Sequence, residues 1–317
     1  MLVCFFPKKS KDFCTGFHIF VQINQPNIFS VMKKKRSLIT LLLAACLSLT
    51  AAQAQVKPYM QEGPNPTQEA RQGSCASGKY FFQFHNANGT IEIYTLKTRQ
   101  RLQIISQPPV KSQHCNTVCF GAVKYDKADR LPLLYVSTER DSKILVYRIL
   151  GEDGNMSLQT VQTLTLPPCE EMGLYFPNSV IDGQGKKLWL SGFSCNSWQK
   201  PDGGNHLRYI ELPLPDVRQG DVTIDLGQKL SEFTLPFTYA TQGIVYHRGR
   251  IIQAYGVRHQ TNLIRIIDPQ SGKVERTYYP HKLDMDQEPE GCFIYKGKPM
   301  ISTVEGDLYF VRQFEQK

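Results

Sequence analysis

The chain has 317 residues, with 37 Lys and Arg against 28 Asp and Glu, a formal net charge of +9. Seven of those bases and one acid fall within residues 1–54, which leaves 30 bases against 27 acids, a net of +3, for the rest. A balanced chain without basic runs excludes recognition of a nucleic-acid phosphate backbone, which needs clustered Lys and Arg.

Taken in order, residues 1–31 read as an upstream extension from a start codon placed too early. Residues 32–54 have the layout of a secretory signal: Lys33, Lys34, Lys35 and Arg36, then an apolar run from Leu38 to Leu49, then Ala52-Gln53-Ala54. The apolar run is too short for a stable membrane span, so cleavage after Ala54 is expected, giving an exported, periplasmic or extracellular protein. The alternative is a lipoprotein, because Leu43-Ala44-Ala45-Cys46 fits a lipobox and Cys46 would then carry the anchor. No transmembrane span remains once the signal is removed.

From residue 55 to 317 the pattern is short strands and turns, without the 3.6-residue apolar period of a long helix. A first unit starts near Gly78, with strands Lys79 to Phe84 and Thr90 to Leu96 around the hairpin turn Asn88-Gly89. A second has Leu133 to Ser137 and Ile144 to Ile149 around Glu139-Arg140-Asp141-Ser142. The third has Lys187 to Ser191 and Leu207 to Leu212, separated by a long loop. The fourth is complete, with Ile244 to Tyr246, Arg250 to Tyr255, Leu263 to Ile267 and Val274 to Tyr278. The last offers only Cys292 to Tyr295, Pro299 to Val304 and Leu308 to Arg312, so its missing strand is expected from the segment Val56 to Glu69. This grammar predicts an all-β fold, a single β-propeller of five blades (six if the third unit is two), closed by pairing the two chain ends.

Four of these units are preceded by a polar anchor: Asn116, Asn178, Gln242 and Glu290, spaced by 62, 64 and 48 residues. Inner strands of a propeller begin at one face, near the axis, so anchors far apart in sequence would converge. His114, Asn116, Asn178, Gln242, Glu288 and Glu290 are therefore the expected ligand-binding residues, joined by Trp198 on the loop from Ser194 to His206 as a stacking surface. The competing reading is that these polar groups satisfy backbone where blades meet.

The phrases His114-x-Asn116, Phe120-Gly121, Pro132-Leu133-Leu134-Tyr135-Val136-Ser137 and Glu288-Pro289-Glu290-Gly291 resemble uncharacterised exported β-propeller proteins of Bacteroidota-type bacteria. The Glu-Pro-Glu-Gly step is also similar to propeller modules of phage receptor-binding and teichoic-acid-associated proteins. The resemblance spans roughly residues 72–314 and implies architecture, with no assigned chemistry.

Three functions fit. The first is a non-enzymatic module that binds a carbohydrate or cell-envelope ligand at the channel face. The second is a glycan or phosphoester hydrolase or lyase, with Glu290 or Glu288 as acid/base and His114 assisting. The third is a scaffold for a protein partner. No cofactor is expected and no metal site is assigned, although Asp286, Glu288 and Glu290 are conceivable calcium ligands. Cys75, Cys115, Cys119, Cys169, Cys195 and Cys292 permit three disulfides in an exported chain, with pairing undetermined.

Overall fold

A computed structural model describes residues 56–315 apart from Ala87, 112–113, 185, 198–203 and 284. The upstream extension, the signal segment, Cys46 and Trp198 lie outside the described residues.

The short strand β1 (Met60–Gln61) comes first. The first blade follows, with β2 (Arg71–Ser77), β3 (Tyr80–His85), β4 (Asn88–Thr95) and β5 (Gln100–Lys111). The second has β6 (Val118–Phe120), β7 (Leu134–Thr138), β8 (Lys143–Leu150) and β9 (Ser157–Thr165). The third contains β10 (Tyr175–Ile181), β11 (Lys187–Phe193) and β12 (His206–Pro213). A two-residue strand β13 (Val222–Thr223) then runs parallel to β9 on the rim of the second blade, before β14 (Ser231–Pro236) completes the third. The fourth has β15 (Thr241–His247), β16 (Arg250–Tyr255), β17 (Leu263–Asp268) and β18 (Lys273–Tyr278). The fifth has β19 (Pro289–Tyr295), β20 (Lys298–Thr303) and β21 (Asp307–Phe310).

The fold is thus a five-bladed β-propeller, as the strand grammar predicts, and the alternative of six blades falls away because the third unit forms one sheet, in the order β10, β11, β12, β14. Closure also follows the expectation: Met60 pairs with Leu308 and Gln61 with Asp307, so the start of the described chain supplies the outer strand of the last blade. An ion-pair cluster reinforces this seam. Arg71 reaches Glu62 at 2.8 Å and Glu92 at 3.3 Å, and donates to the carbonyls of Gly63 and Glu305.

The middle strands of each blade are covered on both faces by the neighbouring blades, so β3, β7 and β16 are buried almost throughout, while outer strands such as β18 stay polar and exposed. All six residues of β3 are buried. The core is accordingly a set of layers between blades. Phe82 and Ile93 of the first blade pack with Leu134 and Tyr147 of the second, whereas Phe81 and Tyr94 pack with Phe293 and Met300 of the fifth. Innermost strands approach so closely that two glycines have steric cause: a Cβ at Gly73 would lie 2.6 Å from the Cys115 carbonyl oxygen, and one at Gly243 would lie 2.4 Å from the Cys292 nitrogen.

The cysteine framework differs from the sequence expectation. The six cysteines among the described residues are all free thiols, four of them buried as small apolar side chains. A propeller of this size has interblade cores large enough to stand without cross-links.

Candidate functional site

The first residues of the inner strands set up the site. In β2, β15 and β19 the antiparallel register slips within the first few residues, between Arg71 and Ser74, Thr241 and Ile244, and Pro289 and Gly291. A bulge turns a side chain out of the alternating pattern, and here it carries Gln72, Gln242 and Glu290 at equivalent places. All three border one cavity of about 270 Å³ at the mouth of the channel. His114, Asn116 and Glu139 border it from the second blade, Phe176 and Phe193 from the third, Thr241, Val257 and Arg258 from the fourth, and Glu288 from the approach to the fifth.

Five of the residues expected from sequence, His114, Asn116, Gln242, Glu288 and Glu290, therefore surround one space. Asn178 does not reach it. Although the β10 register slips as well, this side chain is 1% exposed and its Nδ2 donates to Thr241 Oγ1 at 3.1 Å, a bond between neighbouring blades. That is the interblade role set against ligand binding in the sequence reading. The sequence hides Gln72 because the strand pattern of the first unit starts near Gly78. The usable sign was Gln72-Gly73, the same type of step as Gln242-Gly243 and Glu290-Gly291. Glu139 and Arg258 sit on turns whose path over the mouth no local pattern announces.

Hydrogen bonds divide the lining into satisfied and unsatisfied groups. His114 Nε2 donates to Gln72 Oε1 at 2.6 Å, and its Nδ1 lies 3.2 Å from Glu139 Oε2. Gln242 Nε2 donates to Glu288 Oε1 at 2.6 Å, and the Arg258 backbone N–H reaches Glu288 Oε2 at 3.3 Å. Glu290 Oε2 and Asn116 Oδ1, by contrast, are buried and accept nothing.

Burial governs the charge state of these groups, because removal from water disfavours the ionised form. Glu290 is held well above the usual carboxylate range by burial and then by the adjacent Glu288. Glu288 is raised by burial as well, an effect opposed by its bond from the Arg258 backbone and by the Arg258 charge. Glu139 is pushed up to about 7 by burial against the pull of Arg140, while burial and Arg140 lower His114. The His114–Glu139 contact therefore joins two groups that burial keeps from ionising together. With Nε2–H committed to Gln72, Nδ1 is the nitrogen of His114 that faces the Glu139 carboxyl.

Two lining residues have strained backbone. Phe176 has φ 53° and Arg258 φ 52°, left-handed conformations that bulky residues seldom adopt and that concentrate at functional sites. Buried hydroxyls bond between neighbouring blades: Ser74 and Ser302 lie 2.7 Å apart, and Ser137 bridges Thr117 and Ser179. At the far end Cys75, Cys119 and Cys292 surround a smaller apolar hollow of about 130 Å³ with Val118, Val180 and Val245. Among the described residues no three His, Cys, Asp or Glu side chains are grouped so as to hold a metal ion, and Asp286, Glu288 and Glu290 do not form such a set.

No protein-family model matches the chain, and no curated protein matches it. Solved structures share its chain path. Glutaminyl cyclase of Myxococcus xanthus is similar at a TM-score of 0.49 and 12% identity, over 81% of this chain and 94% of that one. Hydrazine synthase of Kuenenia stuttgartiensis is similar at 0.38 and 14%, over 74% and 61%. The Dos1 propeller is similar at 0.35 and 11%, over 81% and 61%. None of these bears on the chemistry of this chain.

Proposed function

We propose that the protein is an exported binding propeller that holds one compact, hydrogen-bonding ligand, a carbohydrate or cell-envelope component, at the mouth of its channel. The observation that supports this most directly is the cavity of about 270 Å³ to which all five blades contribute, with Glu290 Oε2 and Asn116 Oδ1 left without partners. A buried polar atom without a hydrogen bond costs stability, so two of them facing one cavity fit groups that a ligand completes. Gln72, His114 and Gln242 add amide and imidazole contacts, and Phe176 and Phe193 add apolar faces on which a sugar ring can rest. The volume suits a single sugar-sized unit, not an extended chain.

The test is a glycan array on protein lacking residues 1–54, followed by titration of each hit against the Gln72→Ala and Gln242→Ala variants. Saturable binding that both variants weaken supports the reading. Binding that neither variant changes places the ligand elsewhere and overturns it.

A second reading, acid–base catalysis on a glycan or phosphoester, is favoured by one observation. His114 and Glu139 share a contact of 3.2 Å, and the carboxyl titrates at about 7, near the pH at which proton transfer is most effective. If the site turns ligands over, Glu139→Gln and Glu290→Gln each lower the rate by about a hundredfold or more. If it only binds, neither has a rate to lower.

A further inference from the structure

We propose that the ligand of this cavity carries a protonated amine, which Glu288 and Glu290 receive in the space they share with Phe176 and Phe193. This rests on the binding function proposed above and narrows it to a class of ligand.

The charge inventory of the cavity leads there. Three carboxyl groups border it, Glu139, Glu288 and Glu290, against one guanidinium, that of Arg258, which is exposed. His114, the remaining titratable group of the lining, is lowered by burial and stands uncharged at neutral pH. Arg140 flanks Glu139 on the outer turn and does not line the cavity. The Glu288 carboxylate already accepts from Gln242 and from the Arg258 backbone. Glu290, 2% exposed, has an oxygen that meets no donor at all. The neighbours that face it, Glu288, Gln242, Gln72 and Asn116, bring no cation to it.

An anionic ligand gains little from such a lining, and a neutral one can reach its acceptors but without charge complementarity. An ammonium group matches it on two counts: it donates up to three hydrogen bonds to acceptors that lack them, and it is attracted to aromatic faces. Phe176 and Phe193 supply those faces, with ring centroids 6.0 Å apart in an edge arrangement. Burial and the adjacent Glu288 favour the protonated form of Glu290 in the free protein. An incoming ammonium replaces that proton as the positive charge beside the carboxylate, and the proton passes to buffer. Binding is then coupled to release of up to one proton per ligand, and affinity rises with pH as Glu290 becomes easier to ionise, until the amine itself deprotonates.

The experiment is titration calorimetry on protein lacking residues 1–54 with matched pairs: glucosamine against glucose, and ethanolamine against ethylene glycol. Each is run at pH 7 in phosphate and in HEPES, whose ionisation heats differ. The expected result is that the amines bind about tenfold to a hundredfold tighter than their neutral analogues. The heat should differ between buffers in the direction of proton release, by up to one proton per ligand, and Glu290→Gln should abolish both the preference and the buffer dependence. Equal affinity for amine and neutral analogue, or an amine preference that survives Glu290→Gln, overturns the amine assignment and leaves the binding function standing. If no member of either pair binds, and the array is also blank, both readings fall. The wild-type comparison between pair members holds whether or not the variant folds.

Discussion

Gln242 and Glu288 are joined across the seam between the fourth and fifth blades by a hydrogen bond of 2.6 Å from Nε2 to Oε1. This bond occupies Glu288, and Glu290, two residues further along the same segment, is buried with its Oε2 meeting no donor. Of the three carboxyls bordering the cavity, Glu288 is thus satisfied while Glu290 keeps an oxygen without a donor, and several consequences can be measured.

Stability should depend on pH through Glu290. Its carboxyl keeps its proton in the folded state well above the ordinary value of 4.5, while the unfolded chain ionises near that value. The folded state therefore holds more protons above pH 4.5, and its contribution to stability falls as pH rises. Relative to wild type, Glu290→Gln should gain stability from pH 5 to pH 8, at up to about 1.4 kcal/mol per pH unit. Urea unfolding of both proteins at the two pH values checks this, since Glu139 and Glu288 are common to both. A constant difference would show that Glu290 is already ionised.

The closeness of the inner strands predicts an asymmetry among glycines. Gly243→Ala drives a Cβ to 2.4 Å from the Cys292 nitrogen and 2.5 Å from the Gly291 carbonyl carbon, backbone that cannot rotate away. A loss of about 3 kcal/mol is expected, at the upper end of overpacking costs. Gly183→Ala is the control: it meets nothing within 4 Å and should change unfolding free energy by less than about 0.5 kcal/mol.

Acid should weaken the seam that closes the ring. Burial would raise the Glu92 carboxyl, but hydrogen bonds from His85, Tyr94 and Arg101, together with the Arg71 charge, bring it down to about 2. Here the sign is reversed relative to Glu290. The stability from Glu92 is full above its ordinary value of 4.5 and is lost as pH falls towards 2. Glu92→Gln should cost about 3 kcal/mol at pH 7, because it removes the anion that buried Arg71 shares with Glu62 and that Arg101 reaches from the surface. The cost should shrink as pH is lowered, which thermal melts at pH 7 and pH 3 will show.

The thiols can be counted. Protein lacking residues 1–54, unfolded in denaturant without reductant, should titrate as six free thiols, and reductant should leave the melting temperature unchanged. In the folded protein Cys115, Cys119 and Cys292, each pushed up to about 12 by burial, should resist alkylation at pH 8. The half-buried Cys195 should react first. A disulfide in the unfolded sample would contradict the structure.

The architecture was legible in sequence because hairpin turns and short apolar strands are local signals. Arg250–Tyr255 was placed to the residue, and the closing strand was expected in the segment where Met60 and Gln61 pair with β21. What stayed hidden depends on contacts between blades. β2 was missed because Arg71 to Ser77 is polar and small in sequence, and its burial comes entirely from neighbouring blades. Gln72 went with it. Glu139 was read as a hairpin turn, which it is, yet whether such a turn leans over the axis depends on blade tilt. Asn178 carried the same local pattern as Gln242 but satisfies a partner on the next blade, and only coordinates separate a ligand contact from an interblade bond.

The most direct test of the whole account is a crystal structure with the tightest ligand from the array or from the amine pairs. The account predicts the ligand among Gln72, His114, Gln242, Glu288 and Glu290, with a donor within hydrogen-bond distance of Glu290 Oε2. A ligand seated on a blade rim or at the apolar end of the channel, with Glu290 still unpartnered, would contradict it.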